Sequence, residues 1–241
     1  MDPVTEFLGA LQTEQGASPN TLSAYRRDLT GFQSFLSERD LALDQVTVPD
    51  LSRYMLALGR HGLGPRSVAR HVSEVRGFFR ILLREGTLSR DPTEHLEVPR
   101  PPRRLPRAIS PEEVAALLEA PDTRMPMGLR DRAILELLYA TGMRASECIS
   151  LRIEDVNFSA GYVICTGKGS RQRLVPVGAQ ALAWVNRFLK TGRPLFAKRT
   201  DPGILFLNRR GRALSRQALW GILKKASRHT RGRSAISPHT L

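Results

Sequence analysis

Three residues in this sequence have side chains and settings suited to a phosphodiester. Arg144 lies in YATGMRASE, at a turn between two helical stretches. Lys168 lies in GKGS, at the tip of a hairpin between two β-rich runs. His239 lies in SPHTL, which opens another helix with the histidine in its first turn. Each alone has a plainer reading. Arg144 is one of 32 arginines, Lys168 a solvated loop residue, and His239 a polar first-turn residue. Together, on three separate elements of a basic chain, they suggest a site that gathers cationic donors around phosphate oxygens.

The charge distribution supports that chemistry. The 241 residues carry a formal net charge of +14, with 37 basic and 23 acidic side chains. Residues 1–107 hold 15 basic and 13 acidic groups, whereas residues 108–241 hold 22 and 10. A GC-rich coding sequence accounts for arginine over lysine, but not for base over acid. An excess concentrated in the second half fits a polyanion-binding surface, with DNA favoured and RNA allowed.

Residues 1–98 read as a small four-helix domain. Val4, Phe7, Leu8 and Leu11 recur at helical spacing. Ser18-Pro19 is an N-cap followed by proline, ahead of the stripe Leu22, Tyr25, Leu29, Phe32 and Leu36. Thr47 and Asp50 have capping-box spacing before Leu51, Tyr54, Met55 and Leu58. A fourth helix over 65–84 buries Val68, Val72, Val75, Phe79 and Leu82. Arg66 and Arg70 lie one turn apart on it, and Arg76, Arg80 and Arg84 lie on successive turns; Arg26 and Arg27 lie on the second helix. Such rows are usually solvated, but on a near-neutral domain they also suit a phosphate backbone.

Residues 99–109 form the linker. Within VPRPPRRLPRAIS, four prolines forbid helix and four arginines, Arg103 and Arg104 among them, are placed to touch phosphates. Residues 110–241 read as a mostly helical domain with one small antiparallel sheet. Ser110-Pro111 with Glu113 caps its first helix, and a helix over 128–141 ends at Gly142. Another helix starts near Ala145. GYVICTG and RQRLVPVG form a hairpin. A helix over 179–190, a strand over 204–208, a turn at RRGR and a helix over 215–229 complete the domain.

Several function classes are disfavoured. GKGS fails as a phosphate-binding loop because the first glycine is misplaced, Gly169 replaces the hydroxyl residue, and a strand follows. The five histidines have no metal-ligand spacing, and no carboxylate cluster accompanies them. Cys148 and Cys165 sit in apolar patterns and read as reduced structural thiols. No apolar run is long enough to span a bilayer, and the acidic start MDPVTEFLGALQ does not read as a secretory signal. A cytoplasmic, nucleoid-associated protein is expected.

The order ATGMRASE, TGKGSRQRLVP, FLNRRG, ISPHTL after a basic helical domain resembles the tyrosine recombinase (phage integrase) family over essentially the whole chain. Within it the bacterial Xer branch is nearest, and SPHTL and DPTEHLEVPRPPRRLP look more like XerD-type than XerC-type sequences. The resemblance implies a helical SAM-like core-binding domain and an α+β catalytic domain that clamp duplex DNA. Strands would be broken and rejoined through a 3′-phosphotyrosine, without metal, ATP or other cofactor. Arg144 matches the first catalytic arginine on the scissile phosphate, where it would stabilise transition-state charge. Lys168 matches the hairpin lysine that protonates the departing 5′-hydroxyl. His239 matches the histidine of the HxLRH motif, and Glu147 the acid that supports the site from behind. Arg26, Arg66, Arg70, Arg76, Arg80, Arg103, Arg104, Arg171 and Arg173 are the candidate DNA contacts.

The implied cellular task is chromosome dimer resolution at a recombination site, in a heterotetramer with a XerC-like partner recombinase and with a DNA translocase. A phage or transposon integrase is the alternative within the family, and a non-catalytic protein that occupies recombination sites is the alternative outside it. The family pattern continues beyond Leu241 with a second arginine, a nucleophilic tyrosine and a docking helix. Tyr25, Tyr54, Tyr139 and Tyr162 stand at core-like positions and are not expected to be nucleophiles. A truncated chain that binds DNA without cutting it is therefore expected.

Overall fold

The computed structural model describes residues 2–98, 109–167, 169, 171–198 and 201–228. The chain divides into two compact units, Met1–Arg104 and Leu105–Leu241.

Among its described residues the first unit contains four α-helices: α1 (Pro3–Gln15), α2 (Pro19–Ser37), α3 (Val48–Arg60) and α4 (Pro65–Arg84). Their starts follow local chemistry. The Asp2 carboxylate accepts from the Val4 and Thr5 amides, and the Ser18 hydroxyl accepts from Thr21 N–H. Asp50 closes the start of α3 by accepting from the Thr47 amide at 3.1 Å. The apolar stripes of all four helices meet in one core around Phe7, Phe32, Phe78 and Phe79, with rings tilted or edge-on. The sequence-predicted helices and most of their buried residues are found as expected.

The second unit is built around α6 (Pro126–Thr141), which is buried on nearly every side. The helices α5 (Pro111–Glu119), α7 (Ala145–Ser150), α8 (Ala179–Arg187) and α9 (Arg216–Ser227) share its core. A close approach fixes one residue here: a Cβ on Gly128 would stand 2.0 Å from the Asp122 carbonyl oxygen. The one sheet among the described residues is antiparallel in the order β1 (Val156–Asn157), β2 (Tyr162–Thr166), β3 (Gln172–Pro176). In the β2–β3 hairpin Cys165 pairs with Arg173 and Thr166 with Gln172.

Two expectations are corrected. The helix expected over 179–190 ends at Arg187 and continues as a π-turn over Phe188–Gly192. The strand expected over 204–208 is absent as a ladder. That segment is extended and buried at Leu205, Phe206 and Leu207, with only isolated bridges Arg152–Ile204 and Leu207–Ala213. Its carbonyls are satisfied instead by buried arginines. Arg193 Nε donates to Ile204 O at 3.0 Å, and Arg130 Nη1 donates to Leu207 O at 3.0 Å. The sequence reads the segment as a strand, but the donors to its Ile204 and Leu207 carbonyls are side chains from distant elements.

Candidate active site

The turn after α6 sets the direction of Arg144. Gly142 takes a left-handed conformation (φ 58°) that ends the helix, and its N–H donates to Leu138 O. Met143 then drops into the core, so the next side chain emerges on the surface. Arg144 is the N-cap residue of α7, with its side chain 66% exposed.

Three residues on, Glu147 is 3% exposed, and its carboxylate receives four hydrogen bonds. Oε2 accepts from the Arg144 backbone N–H at 2.8 Å and from Arg173 Nη2 at 2.8 Å. Oε1 accepts from Arg173 Nη1 at 2.7 Å and from Arg144 Nη1 at 3.1 Å. The hydrogen bonds from Arg173 lead the causes that outweigh burial and hold this carboxyl down to about 2. Glu147 is therefore ionised throughout the physiological range. It ties the Arg144 turn to β3, the strand that carries Arg173.

The neck of the hairpin stands close by. Gly167 N–H donates to Arg171 O at 2.8 Å, and a Cβ built on Gly167 would lie 3.6 Å from Glu147 Oε1. The loop between β2 and β3 thus leaves the sheet beside Glu147. Arg171 and Gly169 in that loop are exposed. Lys168 and His239, and likewise Arg103 and Arg104, lie outside the described residues. Behind the site, Cys148 and Cys165 are buried and free. Burial pushes the Cys148 thiol up to about 12, which makes it inert.

The candidate DNA contacts of the first unit fall into two groups. Arg26, Arg66 and Arg80 are exposed, and none has an ion pair among the described residues. Arg70 and Arg76 are engaged within the unit. Arg70 Nη1 donates to Asp28 Oδ2 and, at 2.5 Å, to Glu74 Oε1; Arg76 Nη2 donates to the Leu96 carbonyl. Arg84, on the same helix, grips the Glu14 carboxylate with both Nη atoms at 2.8 and 2.9 Å. In the second unit Arg173 is turned to Glu147. No sequence signal separated these groups, because the acidic partners of Arg70 and Arg173 include residues 42 and 26 positions away.

The tyrosines need one correction. Tyr54 is buried, and Tyr162 accepts from Asn157 Nδ2 at 3.2 Å, but Tyr139 is 49% exposed on the last turns of α6 rather than part of the core. Among the described residues there is no group of three or more His, Cys, Asp or Glu able to hold a metal ion, and no helix is long and apolar enough to cross a membrane.

Comparison with known proteins places this geometry. The model of the Phage integrase family matches residues 107–241, and that of the Phage integrase, N-terminal SAM-like domain matches residues 4–86. The chain is 38% identical over 242 residues to the tyrosine recombinase XerD of Staphylococcus epidermidis strain ATCC 35984, covering 99% of this chain and 81% of that protein. It is 39% identical over 241 residues to the tyrosine recombinase XerD of Lacticaseibacillus casei, with the same coverage. Among solved structures, the XerH site-specific recombinase bound to palindromic difH substrate in a post-cleavage complex matches with TM-score 0.74 at 19% identity, covering 98% of this chain and 70% of that one. A lambda integrase(75-356) dimer bound to a COC′ core site matches with TM-score 0.73 at 16% identity, covering 99% and 85%. The structural likenesses are likenesses of fold; with the domain matches and the XerD relatives, they show that the chain belongs to the phage integrase family of tyrosine recombinases.

Proposed function

We propose that this chain is a XerD-like recombinase that acts on duplex DNA and serves chromosome dimer resolution. The observation that carries the reading is the joint around Glu147. One buried carboxylate fixes the backbone of Arg144 while leaving its guanidinium largely in solvent, beside the neck of a hairpin. An exposed, always charged fork on a rigid turn suits the scissile phosphate. Lys168, in the loop of that hairpin, takes the general-acid role toward the 5′-oxygen. His239 supplies a further donor to the phosphate, and Glu147 acts from behind through Arg144.

Residues 1–98 and 110–241 would divide the work as core-binding and catalytic domains, with residues 99–109 linking them. Arg26, Arg66 and Arg80 have free forks for the phosphate backbone. Arg103, Arg104 and Arg171 add cationic charge along the linker and the hairpin. A XerC-like partner recombinase and a DNA translocase, at the nucleoid, would complete such a system. The XerH and lambda integrase structures, bound to a difH substrate and to a COC′ core site, support duplex DNA as the ligand.

Selection from a random duplex library tests the reading. A recombinase should enrich a site made of two inverted half-sites, and Arg144→Ala should retain that enrichment because one phosphate contact contributes little to site choice. Binding that is salt-sensitive but indifferent to sequence would refute a site-specific role and leave general DNA binding.

A further inference from the structure

The Glu147 carboxylate serves two arginines unequally. Arg173 approaches as a fork, one Nη on each oxygen at 2.7 and 2.8 Å. Arg144 reaches only Oε1, through one Nη at the longer distance of 3.1 Å. Each carboxylate oxygen already accepts two hydrogen bonds, so no acceptor position remains for a second contact from the Arg144 side chain. The carboxylate is buried, whereas Arg144 is the more exposed of the two arginines. A buried carboxylate without a cationic partner would draw in the nearest guanidinium, and Arg144 is tethered three residues away.

We propose that Arg173 is a positioning residue, the standing counter-ion of Glu147, which by occupying one acceptor position on each carboxylate oxygen limits the Arg144 guanidinium to a single long hydrogen bond that it can give up to turn to a phosphate. This role rests on the reading of Arg144 as the phosphate ligand. It also explains why an arginine in a basic hairpin points inward to an acid. Arg173 neutralises a charge that would otherwise compete with the substrate for Arg144. Because Arg173 sits on β3 opposite Cys165, the same contact holds the hairpin neck against the Arg144 turn.

The test uses the full chain and two nuclear magnetic resonance readouts of arginine side chains, with inorganic phosphate as the probe. In the free wild-type protein the guanidinium of Arg173 should be rotationally locked and that of Arg144 averaged. In Arg173→Ala, Arg144 should become locked on Glu147, and its phosphate affinity, read from the shift of its own Nε–H signal, should weaken by about tenfold, the cost of breaking a charge-assisted hydrogen bond first. Adding Glu147→Gln to Arg173→Ala removes the trap, so Arg144 should average again and recover most of its phosphate affinity. Arg173→Lys keeps the charge without the fork and should fall between wild type and Arg173→Ala, which separates geometry from simple charge and provides a folded variant if alanine is not tolerated.

An Arg144 that stays averaged in Arg173→Ala, or a double variant no better than the single one, would overturn the proposal. A wild-type Arg144 signal that ignores phosphate, while locking in Arg173→Ala still occurs, would instead overturn the phosphate-ligand reading on which the proposal stands.

Discussion

Replacing Glu74 with glutamine should abolish a pH dependence of stability that the wild-type first unit carries. Glu74 on α4 and Asp28 on α2 are both buried and share Arg70 Nη1. Burial, with Asp28 beside it, raises the Glu74 carboxyl from 4.5 to about 7. Burial alone would raise Asp28 too, but hydrogen bonds from Glu74 and Arg70 outweigh it and hold Asp28 below its usual range. The pair thus retains one proton near neutrality, mainly on Glu74.

Between pH 4.5 and 7 the folded state binds that proton and the unfolded state has lost it. Stability therefore falls as pH rises through this window. For a group moved from 4.5 to about 7, the change from pH 5 to pH 8 amounts to about 2–3 kcal/mol. Glutamine is neutral at every pH and keeps both an acceptor for Arg70 and a donor for Asp28. The variant should gain on wild type by that amount between pH 5 and pH 8. Both tryptophans, Trp184 and Trp220, lie in the second unit, so their emission cannot report the event. Amide exchange in peptides from residues 65–84 can, with the two proteins compared at each pH so that intrinsic exchange rates cancel. A difference that stays flat to within about 0.5 kcal/mol across that range would show that Glu74 is not protonated in the folded unit.

Two perturbations elsewhere separate exposed arginines from structural ones. Arg66→Ala with Arg80→Ala should weaken duplex binding in fluorescence anisotropy and lower the slope of log affinity against log salt by up to about 2, whereas an unchanged slope would remove these residues from the phosphate contact. Arg193→Met should destabilise the second unit by about 2–3 kcal/mol in urea titrations followed by tryptophan emission. The variant loses the fork on Asp201 (2.6 Å to each oxygen) and leaves the Ile204 carbonyl without its arginine donors; one-third exposure of Asp201 keeps the loss below that of a fully buried pair. A loss under about 0.5 kcal/mol would mean that water replaces the arginine.

The helices, their caps and the hairpin were legible in the sequence because their causes are local. The pairs Thr47–Asp50 and Ser110–Glu113, the left-handed Gly142 and the apolar stripe of α4 all act within a turn or two of chain. The placement of Arg144 outside the core followed from the same signals. The family was legible from the order of its motifs, which places each on its own element. The fate of individual charges was not. Arg66 and Arg70 have the same spacing pattern and the same charge, yet the first has no ion pair among the described residues and the second is held by Asp28 from another helix. The acid partner of Arg173, the exposure of Tyr139 and the arginine donors that replace a ladder at residues 204–208 likewise depend on elements brought together from afar. Periodicity and capping are written in neighbouring residues, so sequence alone determines which segments coil and which face turns inward. An ion pair is decided by distance in space, so only the tertiary structure settles which arginines remain free for a phosphate and which are used in holding the protein together.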